Sequence, residues 1–191
     1  MRLTASTLVT RSQWTAQRWK NGAGLTHEIW RWRESASPAG LEHFDLRLSV
    51  AELEGAQPFS LFPGYDRALI PLEDSALTLE LHGIEAPIIR HRPFHFAGEV
   101  VACTRGLGRA SDLNVMSWRA RGAARVEVGP THAPPEPGPL RKLAIFALEP
   151  ATVRDGEGDA LELAAHDTLI QLDHRRAANY AASAPVVWIW F

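Results

Sequence analysis

Four stretches of the sequence carry side chains suited to holding a small polar molecule. The first is Trp19-Lys20-Asn21-Gly22-Ala23-Gly24-Leu25-Thr26-His27-Glu28. Glycines two positions apart let a backbone come close to another group. Around them stand a cation (Lys20), an amide (Asn21), a hydroxyl (Thr26) and a carboxylate (Glu28). Backbone amides together with Lys20 would cradle an anion; a plain glycine turn with solvated polar neighbours is the simpler alternative. The glycine spacing is not that of a phosphate loop. The second stretch is Arg47-Leu48-Ser49, where a strand would place Arg47 and Ser49 on the face opposite the leucines. That pair points to water if the face is open. If the face is covered, Arg47 needs a carboxylate or a ligand anion.

The third stretch, Phe59-Ser60-Leu61-Phe62-Pro63-Gly64-Tyr65-Asp66-Arg67, sets two aromatics around the hydroxyl of Ser60 and ends in a guanidinium. An aromatic wall with one hydroxyl and one arginine suits a small planar or carboxylated ligand; a hydrophobic loop sealing a barrel end is the alternative. The fourth, Ser111-Asp112-Leu113-Asn114-Val115-Met116, puts Asp112, Asn114 and Met116 on one strand face. Asp112 there either pairs with Arg47 or Arg67, or orients a hydroxyl or amine of a ligand.

Other chemistries find little support. Ser60 lacks the Gly-x-Ser-x-Gly setting of an activated serine. His91 and His95 are the nearest approach to a metal pair, but four residues along a strand separate them by about 13 Å, and metal bonds are about 2 Å long. No metal and no cofactor are expected. Twenty basic and 22 acidic residues give a net charge of −2 with no long basic run, so no nucleic-acid partner is expected. Cys103 is the one cysteine, which rules out an intrachain disulfide and fits a cytoplasmic protein. The apolar run Val186 to Phe191 is six residues, against about 20 for a membrane helix, and reads as a buried strand with no membrane role.

The elements that must position these residues read as strands. Phe44 to Ala51 alternates, with Phe44, Leu46, Leu48 and Val50 on one face. Glu28 to Arg33, Ala76 to Leu81, Leu113 to Trp118 and Arg125 to Val128 continue the pattern. Asn21-Gly22, Pro63-Gly64, His82-Gly83 and Arg105-Gly106 supply turns. No helical stripe persists over three turns, so the fold class is all-β, a sandwich or barrel. Residues 129–139 hold five of the 13 prolines and form a semi-rigid connector that cannot be a central strand. The expected organisation is therefore residues 1–128 with the pocket, the connector at 129–139, and residues 140–191. Strand, hairpin and strand signals recur on both sides of the connector, which suggests an internal repeat.

In chain order the motifs are Trp-Lys-Asn-Gly-Ala-Gly-x-Thr-x-Glu, Arg-x-Ser-x-Ala, Phe-Ser-x-Phe-Pro-Gly-x-x-Arg, Pro-Phe-x-Phe-x-Gly and Asp-x-Asn-x-Met. Together, over residues 14–119, they resemble the HutD/Ves family. The resemblance implies a bicupin, two cupin-like (RmlC-like) β-barrel or sandwich halves without the usual metal ligands. It also implies a link to bacterial histidine utilisation, through binding of an intermediate such as urocanate or formylglutamate. Carried onto this chain, it assigns ligand contact to Lys20, Asn21, Thr26, Glu28, Arg47, Ser49, Ser60, Arg67, Asp112 and Asn114, with Phe59 and Phe62 as the aromatic wall. Ala23, Leu113 and Glu99 depart from the family's usual residues and leave ligand identity open. The expected function is a binding protein for a small anionic metabolite rather than an enzyme. A metal-independent isomerase or lyase, with Glu28 or Asp112 as base, is the alternative. An edge-paired homodimer is compatible with either.

Overall fold

The computed structural model describes residues 6–19, 24–34, 43–131, 142–172 and 180–191. Lys20, Asn21, Gly22 and Ala23 of the glycine loop, and the connector from residue 132 onward, lie outside them. Among the described residues the regular structure is β, apart from two single 3-10 turns at Arg11–Gln13 and Arg119–Arg121. The chain divides into two compact units, one formed by Thr15–Ala123 and the other by Met1–Trp14 with Ala124–Phe191.

The contiguous unit contains nine strands: β2 (Thr15–Arg18), β3 (Leu25–Trp32), β4 (Leu46–Glu54), β5 (Tyr65–Pro71), β6 (Thr78–Leu81), β7 (Ile84–Pro87), β8 (Phe94–Ala97), β9 (Ala102–Arg105) and β10 (Arg109–Trp118). They form a six-stranded sheet in the order β2-β3-β4-β10-β5-β8 and a three-stranded sheet in the order β7-β6-β9. Every pairing is antiparallel. The alternation of β4 places Leu46, Leu48 and Val50 on one face and Arg47, Ser49, Ala51 and Leu53 on the other. Both faces are covered: Leu46 and Leu48 are fully buried, and Ser49 is only 3% exposed. Ala51, Leu53, Leu69 and Ala110 of the large sheet pack with Leu79 and Ala102 of the small one, and with Leu77 just before β6, in a single apolar cluster. Two sheets facing each other over a shared core make this unit a sandwich.

Local signals explain the joints. His82 and Gly83 both adopt positive φ, +52° and +78°, between the paired residues Leu81 and Ile84. That is the two-residue hairpin turn whose twist matches its strands. The alternation expected over Glu28 to Arg33 is broken by a bulge between Glu28 and Trp30. As a result Glu28 and Arg31, three apart, fall on the same face.

The second unit is a seven-stranded antiparallel sheet. Its strands are β1 (Thr7–Val9), β11 (Arg125–Thr131), β12 (Leu143–Ala147), β13 (Ala151–Arg154), β14 (Ala160–Leu163), β15 (Thr168–Gln171) and β16 (Ala181–Trp190). The order is β1-β15-β12-β16-β13-β14, with β11 also on β16. The terminal apolar run is the buried end of β16, where Trp188 and Trp190 are fully enclosed. Pro130 falls at the register shift in the β11–β16 pairing, where a missing amide hydrogen disturbs the ladder least. A sequence division at 128/129 would cut through β11. The structure pairs both β11 and the N-terminal β1 into this C-terminal sheet.

Candidate functional site

The inward face of the six-stranded sheet carries the polar residues in rows set by register. One row runs Gln17, Thr26, Ala51, Asp112 across β2, β3, β4 and β10. The next runs Glu28, Ser49, Asn114, Leu69, and the third runs Arg31, Arg47, Met116, Arg67, Phe96. Over these rows lies the segment from Phe59 to Phe62, tied down by Phe59 N–H donating to the Ala102 carbonyl (2.9 Å) and Phe62 N–H to the Gly98 carbonyl (2.8 Å). Gly98 must be glycine for this approach, because a Cβ there would lie 2.3 Å from the Phe62 carbonyl oxygen. Arg119 fixes the same corner from outside by donating to Asp66, to both carboxylate oxygens of Glu99 and to the Tyr65 carbonyl. Its guanidinium holds the exposed Glu99 carboxyl down at about 2.

Sheet and segment enclose a cavity of about 380 Å³, within the range of small-molecule sites. Of the residues singled out in the sequence, Thr26, Arg47, Ser49, Phe59, Ser60, Phe62, Arg67 and Asn114 all line it. Glu28 and Asp112 stand beside that lining and are not part of it. Lys20 and Asn21 lie outside the described residues. Trp19, which closes one side, donates its indole N–H to the Thr26 hydroxyl (2.7 Å) and packs against Phe59. Sequence reasoning missed Gln17 and Arg18 on β2. That edge strand is exposed throughout and shows no alternation. Met116 was read onto the correct strand face, but nothing in its type marked it as a wall residue.

The three arginines of the third row differ in their surroundings. Glu28 accepts from Arg31 Nη2 (2.7 Å) and from Arg47 Nε (2.9 Å), so one carboxylate serves two guanidinium groups. This is the carboxylate partner that a covered Arg47 requires. Arg67 is 6% exposed and has no ion pair among the described residues. Its guanidinium carbon lies 5.1–5.9 Å from the ring centres of Phe59, Phe62 and Phe96, and Nη1 donates to the Ser60 carbonyl at 3.2 Å. Three ring faces favour a cation. Burial nonetheless pulls its pKa down to about 10, with Asp112 opposing that shift and Arg47 adding to it. Its Nε has no hydrogen-bond partner.

On β10, Asp112 is 1% exposed and neither carboxylate oxygen accepts a hydrogen bond. Burial pushes its carboxyl up to about 7, against the pull of Arg67. Asn114, two residues on and facing the cavity, is 5% exposed, and its Oδ1 is likewise without a donor. The cavity wall thus carries Arg67, a buried cation without an ion pair among the described residues, and Asn114, while Asp112 lies outside the lining and acts on Arg67 through its charge. Among the described residues no three His, Cys, Asp or Glu side chains are grouped to hold a metal ion.

Comparison with known proteins gives this cavity a context. The HutD family model matches residues 11–188. The chain belongs to the HutD family. Within and around that family, Protein Ves of Citrobacter koseri is 41% identical over 113 residues, 58% of this chain and 56% of the Ves protein. The chain therefore spans little more than half the length of that relative. Two solved structures match this HutD family member over 97% of both chains. One is a conserved protein of unknown function from Pseudomonas aeruginosa PAO1, with TM-score 0.82 and 26% identity. The other is HutD from Pseudomonas fluorescens, with TM-score 0.80 and 23% identity, a likeness of fold.

Proposed function

We propose that this protein binds a small carboxylated metabolite in the cavity of its contiguous unit, as a binding protein of histidine utilisation. The observation that carries the reading is Arg67, a cation buried among three phenylalanines with no carboxylate partner among the described residues, in the wall of a ligand-sized cavity. A buried charge is costly unless paired, and a carboxylate in the cavity would pair it by charge-assisted hydrogen bonds. Arg47 adds a second guanidinium, Ser49 and Ser60 add hydroxyls, and Phe59 and Phe62 pack on the ligand's body. Urocanate and formylglutamate fit this chemistry. The family resemblance points to the same pathway.

The enzymatic alternative has less support. Glu28 is held by two arginines, and Asp112 lies behind the cavity wall, so neither is placed as a general base toward a ligand. The same reading takes the two units as two cupin-like halves of a bicupin, in a cytoplasmic protein that pairs through its sheet edges.

Calorimetric titration with urocanate and with formylglutamate tests the reading. Saturable binding is expected, weakened at least tenfold in Arg67→Met, since hydrogen bonds to a charged group contribute about 1.5–3 kcal/mol. No saturable binding of either acid by the wild-type protein would overturn it.

A further inference from the structure

Arg67 and Asp112 are both buried, and neither has an ion pair in contact among the described residues. Arg67 has the Ser60 carbonyl and three ring faces; Asp112 accepts no hydrogen bond at either oxygen. The two charges face the same interior. Asp112 and Met116 lie on one face of β10, and Arg67 stands across from Met116 on β5. Four residues of strand, about 13 Å, separate the two backbone positions, so the charges act on each other as fields and not through a hydrogen bond. Arg67 borders the cavity and Asp112 stands behind its wall. No other charged side chain among the described residues acts on Asp112. Across the ladder it meets Ala51 and Pro71, Asn114 follows on its own strand, and Leu79 and Ala102 of the small sheet pack the same interior. None of these titrates. Arg47 acts on Arg67 alone, and Glu28 already joins Arg47 to Arg31.

Resting on the acid-binding reading above, we infer that the cavity takes in an acid together with a proton: Asp112 is the resident countercharge of Arg67, and it is neutralised when the ligand's carboxylate takes over that role. A carboxylate on Arg67 cancels the one positive field that favours ionised Asp112, and it adds a second negative charge to the same dry interior. One proton from solvent then binds an Asp112 oxygen and returns to solvent when the ligand leaves. The interior holds one cation and one anion before binding and after it. The separation of the two residues suits this exchange. A countercharge in contact would occupy the guanidinium, whereas one set back along the sheet leaves it open on the cavity side. The sign follows from burial, which already holds the carboxyl up at about 7. A bound anion pushes it higher, so affinity rises as pH falls from 8 to 6. Arg67, at about 10, stays charged throughout that window.

The test uses formylglutamate and 3-(3-furyl)acrylate, acids with no group that titrates between pH 6 and pH 8. Each is titrated calorimetrically into the full chain at pH 6, 7 and 8, in buffers of different ionisation enthalpy, so that protons taken up on binding are counted. About half a proton is expected at pH 7, where Asp112 is half-ionised in the free protein, and affinity should fall about five- to tenfold from pH 6 to pH 8. In Asp112→Asn the uptake should vanish, and the acid should bind at all three pH values about as tightly as it binds the wild type at pH 6. Carboxyl-resolved NMR of the wild type reads the same event without a variant: the Asp112 midpoint should rise by a pH unit or more in the bound protein, which decides the matter should Asp112→Asn not fold. Binding without pH dependence or proton uptake in the wild type, or pH dependence kept in Asp112→Asn, would overturn the proton coupling and leave the acid site standing. Binding of neither acid at any pH would remove the acid site itself, and the coupling with it.

Discussion

Replacing Asp112 by asparagine should stabilise the protein at high pH relative to low pH. The carboxyl is wholly buried, and its pKa is raised from the ordinary 3.8 to about 7. Below the ordinary value both the folded and unfolded chains hold the proton, and the group costs nothing. Between 3.8 and about 7 the folded state keeps a proton that the unfolded state has released. Stability therefore falls as pH rises through that window and levels off above it. At about 1.4 kcal/mol per pH unit of displacement, the full cost is about 4 kcal/mol, of which about 2–3 kcal/mol develops between pH 5 and pH 8. Asparagine does not titrate, so this part of the pH dependence disappears in Asp112→Asn. Any fixed effect of the substitution cancels when two pH values are compared, and the pull of Arg67 on the ionised carboxyl is already contained in the value of about 7. Urea unfolding of both proteins at pH 5, 6, 7 and 8 should show the variant gaining on the wild type by about 2–3 kcal/mol across the series, or about 5–10 °C in melting temperature. Parallel stability curves would show that Asp112 is not the desolvated carboxyl described here.

Two further outcomes follow from the corner that holds Phe62. Gly98→Ala forces a Cβ against the Phe62 carbonyl and should cost about 1–3 kcal/mol, the usual range for overpacking; thermal melts measure it, and ligand affinity should fall with it because Phe62 is a cavity wall. Arg119→Met removes the donors that hold the exposed Glu99 ionised, so carboxyl-resolved NMR titration should find Glu99 risen from about 2 toward the ordinary carboxylate range, with faster amide exchange at Gly98 and Tyr65; an unmoved Glu99 titration would refute the assignment.

Much of the cavity was legible because alternation fixes faces. Once β4, β5 and β10 are strands, Arg47 with Ser49, Arg67 with Leu69, and Asp112 with Asn114 must each share a face, and the motif order brings those faces into one sheet. Register was not legible. Nothing in Glu28-Ile29-Trp30-Arg31 announces the bulge that brings Arg31 to the Glu28 carboxylate, since a bulge is set by the strands on either side. The partner of β1 was hidden for a similar reason: a three-residue strand carries too little pattern to choose among sheets. The edge strand β2 gave no period at all, and with it went Gln17 and Arg18. The aromatic cage of Arg67 needed Phe96 on β8, which only the pairing of β8 with β5 supplies.

The two units are threaded differently, and this bears on how the chain is made. Thr15–Ala123 is one unbroken piece of chain, whereas the other unit joins the first 14 residues to everything after residue 123. As the polypeptide leaves the ribosome, every strand that lines the cavity meets its neighbours once residue 123 has cleared the exit. Strand β1 precedes every strand of the cavity unit in the chain, yet its partner β15 follows all of them. Strand β1 thus waits for its partner until the whole cavity unit and the chain up to β15 have been made. A nascent chain stalled before β15 would therefore carry a complete cavity unit and a β1 still lacking the strand it pairs with.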